Sequence, residues 1–242
     1  MSGGTGEVLL RAEGVGKRFG GFVALQGVDI ALRPGERLGL IGPNGSGKST
    51  FVNCISGDFA QHDGSVTLAG ARLDGLKPHR RARLGLARTF QLPQPFASLT
   101  VLENVRVPLL FSGEAAQATA RAMACLEQVE MAGKAAKLPR ELTQVEQRRL
   151  ELARAIALNP RLLIADEAMA GLSHAEVDQI IALLLRLNAA GTAVIMIEHI
   201  MRAVTAFAER LVVFVAGRKI ADGPPREVLA MREVEDAYLG RQ

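Results

Sequence analysis

The stretch that most limits the fold of this chain is LGLIGPNGSGKS, residues 38–49. Residues 38–42 form an almost unbroken apolar run, as expected for a strand buried on both faces. Residues 42–49 then match the pattern G-x-x-x-x-G-K-[ST] in full, and a helix is expected to follow. A glycine-rich turn between a buried strand and a helix points backbone N–H groups at an anion, and the pattern is that of a phosphate-binding loop. Gly42, Asn44, Gly45 and Gly47 are expected to wrap a nucleotide's phosphates, with Thr50 beside them. Lys48 would place its ammonium between the β- and γ-phosphates, and Ser49 would ligate Mg²⁺. The bland alternative is a glycine-rich turn that holds no ligand.

The rest of the chain supplies the layers around that loop. Val28, Ile30 and Leu32 alternate with polar or small residues before a turn at 33–36, and Val66, Leu68 and Gly70 suggest a further short strand. RLLIAD (161–166) and TAVIMIEH (192–199) read as buried strands. A helix over 175–187 lies between them, with Ile180, Ile181, Leu183 and Leu184 on its apolar face. LVVFVAGRKIADG (211–223) reads as a hairpin turning at 216–218, and the tail from Pro225 as helical. From about Thr100 to Leu158 the pattern is helical: LTVLENVRVPLLF, interrupted by Pro108, then the Ala-rich stretch 115–131. A helical lobe inserted between strand-rich segments is the simplest organisation. The 242 residues suit one large α/β domain or two small lobes.

The chain is 48% hydrophobic but has no Trp and one Tyr, so Leu, Val, Ile and Ala must fill the core. Part of the mild formal charge of +4 lies in KPHRRARLGLAR (77–88). That run reads as a solvated surface, with contact to anionic lipid or nucleic acid as the alternative. Cys54 and Cys125 lie far apart without a CxxC pairing, which disfavours a disulfide framework or zinc site and fits a reducing cytoplasm. MSGGTGEVLL has no basic n-region, so no signal peptide is expected. The longest apolar runs, such as 211–216, are too short to span a bilayer, and any membrane role is expected to be peripheral.

Asp166 and Glu167 follow the apolar run 162–165, and ligands of α/β sheets bind at the carboxyl ends of the strands. Asp166 is expected to hold Mg²⁺, directly or through water, and Glu167 to polarise an attacking water as general base. An acidic pair alone is more often a helix cap or a solvated turn; behind a phosphate loop it reads as functional. His199 ends another apolar run at the same sheet edge, where it would contact a γ-phosphate.

Taken in order, the phosphate loop, Gln91, the helical lobe, the Asp-Glu pair and His199 resemble the ATP-binding cassette (ABC) transporter ATPases. The resemblance covers the chain from about Val8 to Gly240. It implies a P-loop NTPase (RecA-like) core with an antiparallel β subdomain and an inserted α-helical subdomain. Residues 1–87 and 160–242 would form core and β subdomain, and 88–159 the helical part. It also implies two subunits closing face to face, each ATP held between one phosphate loop and the other subunit's signature helix. Phe19 in KRFGG would stack on adenine; the alternative is a strand-end Phe. Gln91 in RTFQLPQPF would touch Mg²⁺ or the attacking water and link them to the transmembrane partner. Residues 170–173 would be the D-loop, with Ser173 where an Asp is common. KRFGGFVAL, ARTFQLPQPFASLTVLENV and the ending AYLG are most similar to subunits energising branched-chain amino acid uptake; the lipopolysaccharide-export ATPases are similar too.

One stretch departs from the family pattern. Where LSGGQ is expected, the chain has Leu142, Thr143, Gln144, Val145 and Glu146. Thr143 can replace a serine hydroxyl and Val145 keeps a backbone N–H, but both glycines are missing. Thr143 followed by Glu146 also fits a capping box at the start of a helix. So this helix end either holds a partner's phosphate in altered form or caps itself. The reading implied is an ATP- and Mg²⁺-dependent subunit of an importer on the cytoplasmic face of the membrane. Its expected partners are transmembrane permease subunits, a second ABC ATPase (heterodimer favoured) and, indirectly, a solute-binding protein, without nucleic acid. The rivals are a non-hydrolysing regulatory subunit and an ABC ATPase acting in export or on nucleic acid.

Overall fold

Strands form where the sequence alternates or runs apolar, and they sort into two sheets. The computed structural model describes residues 7–89, 94–113 and 115–239. In chain order these form β1 (Leu10–Phe19), β2 (Phe22–Leu32), β3 (Arg37–Ile41), α1 (Lys48–Ser56), β4 (Asp63–Leu68), β5 (Ala71–Arg72), α2 (Pro78–Arg83) and β6 (Leu86–Arg88). There follow α3 (Val101–Ser112), α4 (Ala118–Gln128), α5 (Gln144–Ile156), β7 (Leu162–Asp166), α6 (His174–Ala189) and β8 (Ala193–Ile197). The last elements are α7 (Met201–Phe207), β9 (Arg210–Val215), β10 (Arg218–Gly223), α8 (Pro225–Leu229) and α9 (Arg232–Leu239).

One sheet has four strands in the order β2-β1-β4-β5, with antiparallel neighbours. The other has six, β10-β9-β3-β8-β7-β6; its first five strands from β6 run parallel and β10 returns as a hairpin. The parallel strands are apolar throughout because both faces are covered. Leu162, Ile164, Ile195 and Ile197 pack on the side of α1 and the four-stranded sheet, while Leu163, Ala165, Val194 and Met196 pack toward the helical side. Register brings three strand ends to one edge. Leu40 of β3 and Asp166 of β7 both pair with Ile197 of β8. The phosphate loop, the acidic pair and His199 all leave the sheet there. This is the P-loop NTPase arrangement, with an antiparallel β layer and a helical region between β6 and β7.

Local departures from the sequence reading have physical causes. α3 runs through Pro108, because Val101, Val105 and Leu109 are buried along one face on both sides of it. The Ala-rich helix ends at Gln128, short of Met131, where Glu130 takes φ 60°. β4 ends at Leu68, since Gly70 (φ 78°) belongs to the turn. β8 stops at Ile197, leaving His199 in the loop beyond it. The basic run 77–88 is not simply a solvated surface. Arg81 is 2% exposed and donates to the carbonyls of Cys54, Ile55 and Leu76 at 2.7, 2.6 and 2.9 Å. It thereby satisfies the last carbonyls of α1. Gly57, the C-cap of α1, leaves the room: a Cβ there would lie 2.6 Å from Arg81 Nε.

Arg81→Met keeps an unbranched stem but removes every donor. It is expected to lower unfolding free energy by about 1–3 kcal/mol, read as a lower urea midpoint at unchanged slope.

Several carboxylates also tie stability to pH. Hydrogen bonds from Thr100 hold Glu103 below the usual carboxylate range, those from Ser173 do so for Glu176, and Arg149 with Arg186 does so for Glu130. At Asp222 burial opposes the shift, but Arg210 and Lys219 outweigh it. Depressed folded-state values mean that the stabilisation is complete above the ordinary carboxylate range and is lost as pH falls through the lowered ones. The urea midpoint should therefore hold from pH 7 to about 5 and fall steadily below about pH 4; a midpoint flat down to about pH 2 would contradict this.

Candidate active site

β3 delivers the chain to Gly42 at the common sheet edge. Gly42, Gly45 and Gly47 take φ 148°, 77° and 102°, which L side chains avoid. At Gly42 a Cβ would collide with the carbonyl oxygen of Phe214, and at Gly47 it would lie 2.8 Å from that of Ala24. The loop is therefore wedged between the end of β9 and β2. Gly217 fixes it further, donating to Ser46 O and accepting from Gln26 N–H, both at 2.9 Å. Lys48 folds back into the loop, its Nζ donating to Gly42 O at 2.7 Å, Pro43 O at 3.0 Å and Ser46 Oγ at 3.4 Å. Burial pushes its ammonium below the ordinary value, against the pull of Glu167 and Asp166. Asn44 and Ser49 are exposed and Thr50 is half-buried. The first turn of α1 carries no acidic residue, so its N–H groups and positive end remain available to an anion. From α9, Tyr238 reaches the same loop through a hydrogen bond with the Gly42 backbone.

Asp166 closes β7 with its side chain 8% exposed. Its Oδ2 accepts from Arg88 Nη2 at 2.7 Å, while Arg88 Nη1 donates to Asn53 Oδ1, Ser56 Oγ and Asp58 Oδ2 at 2.6, 3.0 and 3.0 Å. The sequence reading left Arg88 in a surface run. Glu167 is the first residue past β7 and takes φ 45°, its N–H donating to Ile197 O at 2.9 Å. Asp166 and Ser49 would hold Mg²⁺. Asp166 already faces a cationic group, Arg88. Among the described residues there is no cluster of three or more His, Cys, Asp or Glu able to hold a metal alone. One hydroxyl and one carboxylate fit a Mg²⁺ completed by phosphate oxygens and water.

His199 projects into solvent, its side chain 68% exposed, with Nδ1 3.8 Å from Glu198 Oε2. Glu198, also missed in the sequence, is 3% exposed and accepts the Met169 N–H at 2.9 Å. Phe19, at the tip of the β1–β2 hairpin, is 44% exposed; its ring meets Phe59 edge-on at 5.4 Å. Gln91 lies outside the described residues.

The signature region caps itself. Thr143 is the N-cap of α5. Its Oγ1 accepts from Glu146 N–H at 3.4 Å, and Glu146 Oε2 accepts from Thr143 N–H at 3.0 Å. Glu146 also pairs with Lys134, so its negative charge is offset. The Val145 side chain packs on the helical core, leaving its backbone as the group able to meet a phosphate. Gln144 Nε2 donates to Ala170 O at 3.3 Å and fills the space over Gly171, where a Cβ would lie 2.5 Å from it. The start of α5 thus touches residues 170–171 of its own chain. Ser173 is engaged locally as N-cap of α6, in a reciprocal box with Glu176.

Residues 25–170, more than half of the chain, match the ABC transporter family. The chain belongs to this family and is an ATP-binding ABC ATPase. It is 36% identical over 249 residues to the high-affinity branched-chain amino acid transport ATP-binding protein LivG of Salmonella typhimurium, covering 96% of this chain and 98% of that protein. It is 34% identical to BraF of Pseudomonas aeruginosa over the same shares of both chains. Among solved structures, a nucleotide-free ATP-binding cassette of an ABC transporter matches with TM-score 0.89 at 30% identity, over 97% of this chain and 100% of that one. A dimeric cassette bound to ADP and Pi matches with TM-score 0.79 at 27% identity, over 90% of this chain and 99% of that one.

Two glycine substitutions separate collision from strain in the loop. Gly47→Ala meets Ala24 O and is expected to weaken nucleotide binding at least about tenfold, in a titration with a fluorescent ATP analogue. Gly45→Ala has nothing within 4 Å of its new Cβ and should cost clearly less.

Proposed function

We propose that this chain is the ATP-hydrolysing subunit of an ABC importer for branched-chain amino acids or a related polar small solute. It would work at the cytoplasmic face of the cell membrane. The near full-length likeness to LivG and BraF carries the substrate class. Among the described residues no helix is long and apolar enough to cross a membrane, so passage of the solute falls to transmembrane permease subunits. A solute-binding protein outside the membrane would act through them.

In this reading Phe19 stacks on adenine and the loop of Gly42, Asn44, Gly45, Gly47 and Thr50 holds the phosphates. Lys48 leaves its carbonyl partners to meet the β- and γ-phosphates. Asp166 and Ser49, with Gln91, hold Mg²⁺, which neutralises charge on the phosphates when bound. Glu167 takes the proton of an in-line water, and His199 donates to the γ-phosphate. Residues 88–159 act as the helical subdomain that turns toward the partner subunit. Work derives from ATP's differential affinity for open and closed dimers. A cleft of about 280 Å³ lined by Pro78, Ala82, Leu86, Ala87, Pro108 and Leu158 is the receiving surface for a short helix of a permease subunit. Phe111 stands 78% exposed at the end of α3, which flanks it.

The self-capped start of α5 favours a heterodimer with unequal sites. The Thr143 and Glu146 N–H groups at this helix end are already engaged within the box. A second ATPase with a glycine-containing signature would complete this chain's own ATP site. The same capping is the observation that favours the second reading, a regulatory subunit that binds ATP without turnover.

ATP hydrolysis by the isolated chain, measured against protein concentration, tests this. Mg-ATP binding with little turnover at any concentration is expected. Adding the second ATPase should raise turnover at least about tenfold, and Glu167→Gln should abolish the gain. Specific activity that climbs with concentration of this chain alone would replace the heterodimer by a homodimer. A Glu167→Gln chain that still turns over would remove Glu167 as the base.

A further inference from the structure

Behind His199 lies a buried carboxylate with one oxygen unaccounted for. Glu198 is 3% exposed, its Oε1 accepts the Met169 N–H at 2.9 Å, and its Oε2 is buried without a hydrogen bond of good geometry, although the His199 backbone N–H also acts on this carboxylate. A buried carboxylate oxygen without a well-formed hydrogen bond is costly, and its retention calls for a use. The nearest ionisable donor is the Nδ1 edge of His199 at 3.8 Å. That gap is too long for a hydrogen bond, and a movement of roughly 1 Å closes it. The imidazole is 68% exposed, so its ring has room to move.

We propose that Glu198 is the positioning residue of His199: in the nucleotide-closed state Oε2 engages Nδ1 and leaves the Nε2–H aimed at the γ-phosphate. This rests on the reading of His199 as a γ-phosphate contact. The chemistry needs one proton between Oε2 and Nδ1. If the carboxylate is charged, Nδ1–H donates to it, and Nε2–H is retained only where the ring carries both hydrogens. If the carboxyl is protonated, its O–H donates to the Nδ1 lone pair. While the pair holds that proton, Nε2 keeps its hydrogen and acts as donor; once it is lost, the ring donates Nδ1–H to the carboxylate and Nε2 becomes an acceptor. Burial pushes Glu198 above the ordinary carboxylate value, while His199 opposes and Glu167 adds to the rise, so the shared-proton arrangement is accessible. The Met169 N–H anchors the other oxygen to the turn that follows Glu167. One side chain therefore joins the loop carrying the general base to the loop carrying the γ-phosphate donor.

The test is a double-mutant cycle in the assembled ATPase, with Glu198→Leu, Glu198→Gln and His199→Ala. Glu198→Leu should lower kcat about 10- to 100-fold with ATP affinity changed less than about twofold. Glu198→Gln can accept the Met169 N–H through its oxygen and donate its amide to Nδ1, so it should keep kcat within about threefold. In a His199→Ala background, Glu198→Leu should cost no more than about a further twofold. An equal cost in that background would overturn the proposal and leave Glu198 a support for Met169 alone; so would full activity of Glu198→Leu. Should His199→Ala by itself leave kcat unchanged, the γ-phosphate reading of His199 falls first, and the proposal with it. If Glu198→Leu does not fold, the ring ¹⁵N resonances of His199 in the wild-type chain decide. ADP with beryllium fluoride should shift Nδ1 away from its water-exposed position, and an Nδ1 that ignores nucleotide refutes the pairing.

Discussion

The close approach of three backbones at the phosphate loop organises this molecule. Gly42 lies against the Phe214 carbonyl, Gly47 against the Ala24 carbonyl, and Gly217 bonds the loop on one side and β2 on the other. A Cβ at Gly42 or Gly47 would collide there, so the contact joins the six-stranded sheet to the antiparallel layer at the glycine-rich loop. The loop's shape is therefore set by tertiary packing as much as by its own glycines. With the loop held, the carboxyl ends of β3, β7 and β8 share an edge, and Asp166, Glu167 and the glycine-rich loop leave the sheet together.

One buried and one half-buried arginine extend that rigidity inward. Arg81 ties the end of α1 to α2, and Arg88 ties α1 to Asp166. An arginine offers five donors in a fixed fork, so each can bridge several carbonyl or carboxylate groups. Helix α1 begins at the phosphate loop and ends on these two side chains.

The two sides of the ATPase differ in readiness. The phosphate loop keeps an uncapped helix N-terminus, whereas α5 begins with its own hydroxyl–carboxylate box and a lysine partner. Gln144 further binds the start of α5 to Ala170 of the same chain. At the start of α5 the Thr143 and Glu146 N–H groups are occupied, while those between them are not part of the box.

The sequence alone determined the phosphate loop, the buried strands on either side of it, the acidic pair and the capped start of α5. These are local patterns: glycine spacing, unbroken apolar runs and a hydroxyl three residues before a glutamate. It also carried the family resemblance, and with it Phe19, His199 and Gln91. Arg81 and Arg88 read as surface, because a charge run shows no burial until the strands beside it are placed. Glu198 read as nothing, since the group it binds, the Met169 N–H, is distant in sequence. Tertiary structure decided these roles because burial, and with it the demand for a hydrogen-bond partner, exists only once the sheet edge has formed.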